Sequence, residues 1–179
     1  MAVKIIYFVH GTTKDNENNI STGQNQGELS LLGIKQSKEL SKQIKDKKFS
    51  VVFCSDLKRA KQSAEISFKG KYPIIIDKRL RECDYGKLNG KEESKIDYEN
   101  HIKTPFPNGE SLKDVEKRIM SFLQFLKKEY NWKYIAIVAH KAPQLAIEVL
   151  IKNKFWKQVI KEDWRNKKKW KPGWIYIVK

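Results

Sequence analysis

Short apolar runs separated by stretches of helical periodicity restrict this 179-residue chain to few architectures. Residues 3–9, VKIIYFV, read as a strand, and so do SVVFC at 50–54, PIII at 73–76, YIAIVA at 134–139 and the WIYIV near the end. Between them, Ser30 is placed to cap a helix to about residue 46, with Leu32, Gln36, Leu40 and Ile44 along one side. Ser55 and Asp56 read as the N-cap of a helix to about residue 66. Ser111 opens the clearest helix: Asp114 stands three residues on, as in a capping box, and Leu112, Val115, Ile119, Phe122 and Leu126 share one face. A further helix is predicted from near Ala142. Strands alternating with helices imply an α/β sandwich with a mostly parallel sheet.

The length is that of one domain, expected over residues 1–179, and such a chain buries roughly 70% of the surface that its unfolded form exposes. It needs no disulfide or metal to hold a core. Cys54 and Cys83 are far apart and form no C-x-x-C pattern, so both are expected as buried free thiols in a reducing cytoplasm. The run at 3–9 is too short for a secretory core, and nothing approaches the roughly 20 apolar residues that span a bilayer. The 37 Lys and Arg against 21 Asp and Glu give a formal charge of +16, which favours anionic partners: phosphorylated small molecules or nucleic acid. Most of the bases are Lys dispersed along the chain. That pattern fits solvated faces better than a nucleic-acid surface.

In parallel sheets, ligands bind beyond the carboxyl ends of the strands. His10 follows the first run, Ser55 and Arg59 the second, Arg81 and Glu82 the third, and His140 the fourth. Two imidazoles, two guanidiniums and a carboxylate on one sheet edge suit phosphate binding and acid–base chemistry.

Several segments resemble the histidine phosphatase superfamily, the phosphoglycerate mutase-like fold. They are His10-Gly11-Thr12-Thr13-Lys14-Asp15-Asn16, STGQNQGELSLLG at 21–33, SDLKRAKQSAEI at 55–66, LRECDYGKLNG at 80–90, NGESLKDVEKR at 108–118, and IAIVAH at 135–140. Each motif alone is weak, but six in the expected order are specific. The resemblance implies a three-layer α/β/α sandwich and a phosphomonoesterase acting on a small phosphorylated metabolite. His10 would attack phosphorus to form a phosphohistidine, with its tautomer fixed by a neighbouring backbone carbonyl. Arg59 and His140 would hold the phosphoryl oxygens. Glu82 would protonate the leaving alkoxide and then deprotonate the attacking water. Gly11, Asn16, Thr22, Gly23 and Lys141 would contribute further substrate contacts. No metal or other cofactor is implied, and the three His show no ligand spacing.

One position departs from the pattern. The residue before the first histidine, an arginine in the family, is Val9 here. A lost charged hydrogen bond costs roughly 1.5–3 kcal/mol, enough to slow a reaction without abolishing it. Lys14 and Lys141 are candidate substitutes, each as a point charge and not a planar fork. Two readings therefore stand: an active phosphatase, or a degenerate member that binds phosphate or a phosphorylated partner. A mutase fits less well, because only a short segment separates Gly90 from Pro105. Outside the motifs, Arg81 could serve as a structural ion pair and His101 as a surface loop residue. The Lys- and Trp-rich tail, residues 154–171, has three readings: a stacking surface for single-stranded nucleic acid, Trp packed inward with Lys outward, or one wall of the active site. Oligomeric state leaves no mark on the sequence.

Overall fold

A computed structural model describes residues 2–163, 165 and 173–179. Five strands form one sheet: β1 (Val3–Val9), β3 (Val51–Cys54), β4 (Ile74–Ile76), β6 (Tyr134–Ala139) and β7 (Trp174–Val178). Their order is β4-β3-β6-β1-β7, with every neighbouring pair parallel except β1 with β7. A small ribbon, β2 (Ile20–Ser21) with β5 (Lys91–Glu92), lies apart from this sheet and has no counterpart in the sequence reading.

Apart from the exposed Lys4 near the start of β1, the central strands are apolar because both faces are covered. Val3, Ile5 and Tyr7 pack with α4 (Leu112–Glu129) and α5 (Lys141–Lys152). Ile6 and Phe8 pack on the other side with α2 (Leu31–Gln43) and α3 (Lys58–Phe68). The result is the expected three-layer α/β/α sandwich. β7 shows the opposite pattern: Trp174, Tyr176 and Val178 are buried while Ile175 and Ile177 are exposed. That period of two marks an edge strand covered on one face only.

Helix termini follow the sequence with two corrections. Ser111 and Asp114 form the full capping box, and Leu112, Val115, Ile119, Phe122 and Leu126 are all buried. Ser30 caps α2 by accepting from the Gly33 N–H, but the helix stops at Gln43. Ile44 is buried from the cap position itself, so the apolar period outlasts the helical backbone. Helix α3 begins at Lys58, not at Ser55-Asp56. Its N-cap is Leu57 with no side-chain bond, and the Ser55 hydroxyl accepts from Leu57 N–H instead, shaping the turn before the helix. A one-turn helix, α1 (Lys14–Glu17), capped by Thr13 and Asn16, a short α6 (Trp156–Lys161) and three 3-10 turns, Lys78–Leu80, Gly86–Leu88 and Glu93–Lys95, complete the described elements.

Cys54 and Cys83 are buried and free. In the tail, Trp156 and Trp174 are buried and Phe155 is exposed. Trp164, Trp170 and Pro172 lie outside the described residues. Among the described residues, no helix is long and apolar enough to cross a membrane.

Candidate active site

Register brings the two imidazoles together. Val9 at the end of β1 is paired with Ala139 at the end of β6, and the His10 N–H donates to the Ala139 carbonyl at 3.0 Å. His10 and His140 therefore leave adjacent parallel strands at the same level. Their ring centroids are 5.0 Å apart. The Tyr7 hydroxyl clamps the His140 backbone, donating to its carbonyl at 2.7 Å and accepting from its N–H at 3.0 Å.

The loop after β1 is held tightly against α2. A side chain at Gly11 would meet the Gly33 carbonyl oxygen at 2.5 Å, so the approach requires glycine. The Gly11 N–H donates to Ser63 Oγ of α3 at 2.9 Å, and Ser63 in turn donates to the Arg59 carbonyl at 2.9 Å. The Gly11 carbonyl lies 2.7 Å from His10 Nδ1. A carbonyl oxygen only accepts, so Nδ1 carries the proton and Nε2 presents its lone pair. Arg59 Nε–H donates to that Nε2 at 3.2 Å.

Arg59 is buried one step into α3, and backbone carbonyls hold its fork: Nη1 donates to Asn25 at 2.9 Å and Nη2 to Gly23 at 2.7 Å. Gly23 has φ +57, and a Cβ there would overlap the Asn89 side chain. Burial first, and then the Arg59 charge, push the pKa of His10 down to about 3. The same two causes, in the same order, hold His140 well below its ordinary value. Both ring nitrogens of His140 are buried without a hydrogen-bond partner among the described residues. An unsatisfied buried polar group costs about 1–3 kcal/mol, so this ring is a donor or acceptor kept unspent beside His10.

Glu82 is anchored at the N-terminus of α5. Its Oε1 accepts from the N–H groups of Cys83 and Ala142, both at 2.9 Å, and its Oε2 from Lys141 N–H at 3.1 Å. The Lys141 and Ala142 N–H groups are helix-start donors with no intrahelical partner. Arg118 secures the segment from behind, pairing with Glu110 and donating to the Glu82 carbonyl at 3.0 Å. The Gly-Glu-Ser stretch thus braces the site from outside it.

A cavity of about 230 Å³ opens on this arrangement. His10, Arg59, Glu82, Asn16, Thr22, Gly23 and Lys141 line it, as do Val9, Thr12, Gln36, Tyr85, Tyr98 and Arg165. Of the sequence candidates, His140 stands behind His10 and not on the cavity wall, and Gly11 contributes through His10 and Ser63. Asn16 also caps α1, and the Thr22 hydroxyl donates to Asp15 at 2.7 Å. Lys14 is turned to solvent in an ion pair with Glu28 at 3.1 Å. Arg81 grips Asp56 through two nitrogens, at 2.7 and 2.6 Å, as a structural pair. His101 stacks on Phe106, away from the cavity. Tyr85 and Tyr98 escaped the sequence reading because no local pattern marks them, whereas Arg165 belongs to the tail for which a wall of the active site is one of three readings.

The sequence profile of the histidine phosphatase superfamily (branch 1) matches residues 6–166. The uncharacterized phosphatase PhoE of Bacillus subtilis is 33% identical over 136 residues, covering 74% of this chain and 69% of that protein. Phosphoserine phosphatase 1 of Hydrogenobacter thermophilus is 28% identical over 169 residues, 86% of this chain and 80% of that one. The solved structure of Bacillus stearothermophilus YhfR superposes with a TM-score of 0.82 at 22% identity, over 98% of this chain and 90% of that chain, which shows a shared fold. This chain belongs to the histidine phosphatase superfamily, and its named relatives include phosphatases.

Proposed function

We propose that this protein is a phosphomonoesterase that works through a phosphohistidine on His10. The observation that carries the reading is the state of that ring: Nδ1 is tied to the Gly11 carbonyl and Nε2 faces Arg59 on the cavity wall. Displaced from Nε2 by an incoming phosphoryl group, the Arg59 fork meets the equatorial oxygens. Nε2 attacks phosphorus in line, and the bond to the leaving oxygen breaks. Glu82 supplies the proton to that oxygen, then takes one from the water that attacks phosphohistidine, releasing phosphate and restoring the neutral ring. Glu82 Oε2, which accepts one hydrogen bond against two at Oε1, is the oxygen with capacity for that proton. His140 lies behind the His10 ring, off the cavity wall, and enters this reading as the neighbour packed against the nucleophile. The reaction so written calls on no metal ion.

The substrate is a small phosphorylated metabolite. Because one relative is named for phosphoserine, that compound heads the panel to be tried. Val9 favours a second reading, in which the chain binds phosphate without turning it over. Hydrolysis of an aryl phosphate between pH 5 and 8 separates the two. The wild type turns over and His10→Ala loses at least about a thousandfold in kcat. Equal rates in the two proteins, or none in the wild type, overturn the enzymatic reading.

A further inference from the structure

A phosphate monoester carries close to two negative charges at neutral pH, and transfer needs its equatorial oxygens neutralised on more than one side. Arg59 serves one side, with its three nitrogens already directed to His10 and two backbone carbonyls. On the β1 side, Val9 lines the cavity without a donor. A second guanidinium nevertheless reaches that side from the C-terminal segment. Arg165 lines the same cavity, and its Cζ lies 5.8 Å from the ring of Trp174. Trp174 is the ladder partner of Tyr7, and Tyr7 and Val9 share one strand face. Arg165 is thus directed to the strand end where a long side chain at residue 9 would project.

The guanidinium is positioned by a buried carboxylate. Asp163 Oδ1 accepts from Arg165 Nη1 at 2.7 Å and from its backbone N–H at 3.1 Å, while Oδ2 lies 3.3 Å from Lys141 Nζ. Gln144, itself held by the Tyr176 hydroxyl at 2.9 Å, accepts from the same Nη1 at 3.4 Å. One carboxylate therefore holds two cations at the cavity, and the Arg165 charge stands there. That charge is felt at His10, where it adds to burial and Arg59 in lowering the pKa.

We propose that Arg165, positioned by Asp163, is the second phosphoryl-binding guanidinium of this site and does the work that residue 9 cannot. The proposal rests on the phosphatase reading for its catalytic consequence, but not for phosphate binding. Its test is a double-mutant cycle on the full chain with Val9→Arg and Arg165→Gln. The readouts are aryl phosphate hydrolysis and the inhibition or binding constant of inorganic phosphate. Arg165→Gln weakens phosphate binding and lowers kcat/KM by about tenfold to a hundredfold. Val9→Arg recovers much of both in the Arg165→Gln background, yet gains less than about twofold in the wild type, where the position is already served. Unchanged phosphate affinity in Arg165→Gln overturns the proposal. So does a gain of about tenfold or more from Val9→Arg in the wild-type background, a measurement that decides the matter should Arg165→Gln fold poorly. If the wild type hydrolyses nothing, the enzymatic reading falls while the phosphate-affinity arm still judges Arg165.

Discussion

The floor of the cavity and its rim are built by different means. The floor, with His10 and Arg59 and with His140 behind them, is set by sheet register, a glycine contact and backbone hydrogen bonds, and none of these three side chains forms an ion pair among the described residues. The rim, with Tyr85, Tyr98, Lys141 and Arg165, is held by side chains holding side chains: the two tyrosine hydroxyls at 2.7 Å, the Lys141 ammonium over the Tyr98 ring at 4.3 Å, and the Asp163 carboxylate between two cations. Backbone geometry tolerates little sequence change, whereas a side-chain network can be rebuilt residue by residue. On the proposed reading the nucleophile and its first guanidinium belong to the floor, while the rim supplies Arg165 and the walls that select a substrate.

The largest expected effect lies on the floor. Arg59→Ala removes the donor on His10 Nε2 and the fork that ties Gly23 and Asn25 in place, and kcat falls by at least about a hundredfold in steady-state kinetics. A loss confined to KM would break the distinction, because it would make Arg59 a rim residue in function.

A smaller effect concerns stability against pH. The ordinary His value is 6.5 and the folded His10 value about 3, so between these limits the unfolded chain binds a proton on residue 10 that the native state refuses. Stability contributed by the neutral ring is complete above about pH 6.5 and is lost as pH falls toward 3. His140, shifted the same way, adds to the loss. Thermal unfolding followed from pH 7 to pH 4 shows a steeper fall in Tm for the wild type than for His10→Gln. Parallel curves would mean that the floor is not the dry, cation-flanked place described.

The smallest effect belongs to the rim. Tyr98→Phe removes one hydrogen bond to Tyr85 and costs about 1 kcal/mol in denaturant unfolding, with KM changing more than kcat. A drop in kcat alone would move Tyr98 to the floor.

The same division explains what the sequence made legible. His10 and His140 could be located because they end apolar runs, and parallel pairing of those runs leaves them side by side. Ser111 and Asp114 could be read because a capping box is a local pattern. Arg165 sits in a Lys-rich tail where one base looks like another, and contacts with Asp163, Gln144 and Trp174 bring it to the cavity. The two-residue ribbon of β2 and β5 is too short for periodicity to register. The true start of α3 was hidden because Ser55 spends its hydroxyl on a turn, and the end of α2 because Ile44 continues the apolar pattern past the last helical residue. The two lysines proposed to replace the missing arginine differ for a related reason. Lys141 opens a helix at the cavity, whereas Lys14 lies on a one-turn helix where Glu28 draws it outward.

The most direct test of the central claim is to trap the phosphorylated enzyme. The protein is mixed with excess aryl phosphate, quenched in base within a turnover, digested, and its peptides weighed by mass spectrometry. One phosphoryl group is expected on the peptide containing His10, removed by mild acid and absent from His10→Ala. Turnover with no phosphate on residue 10, or with phosphate on another residue, would contradict the claim.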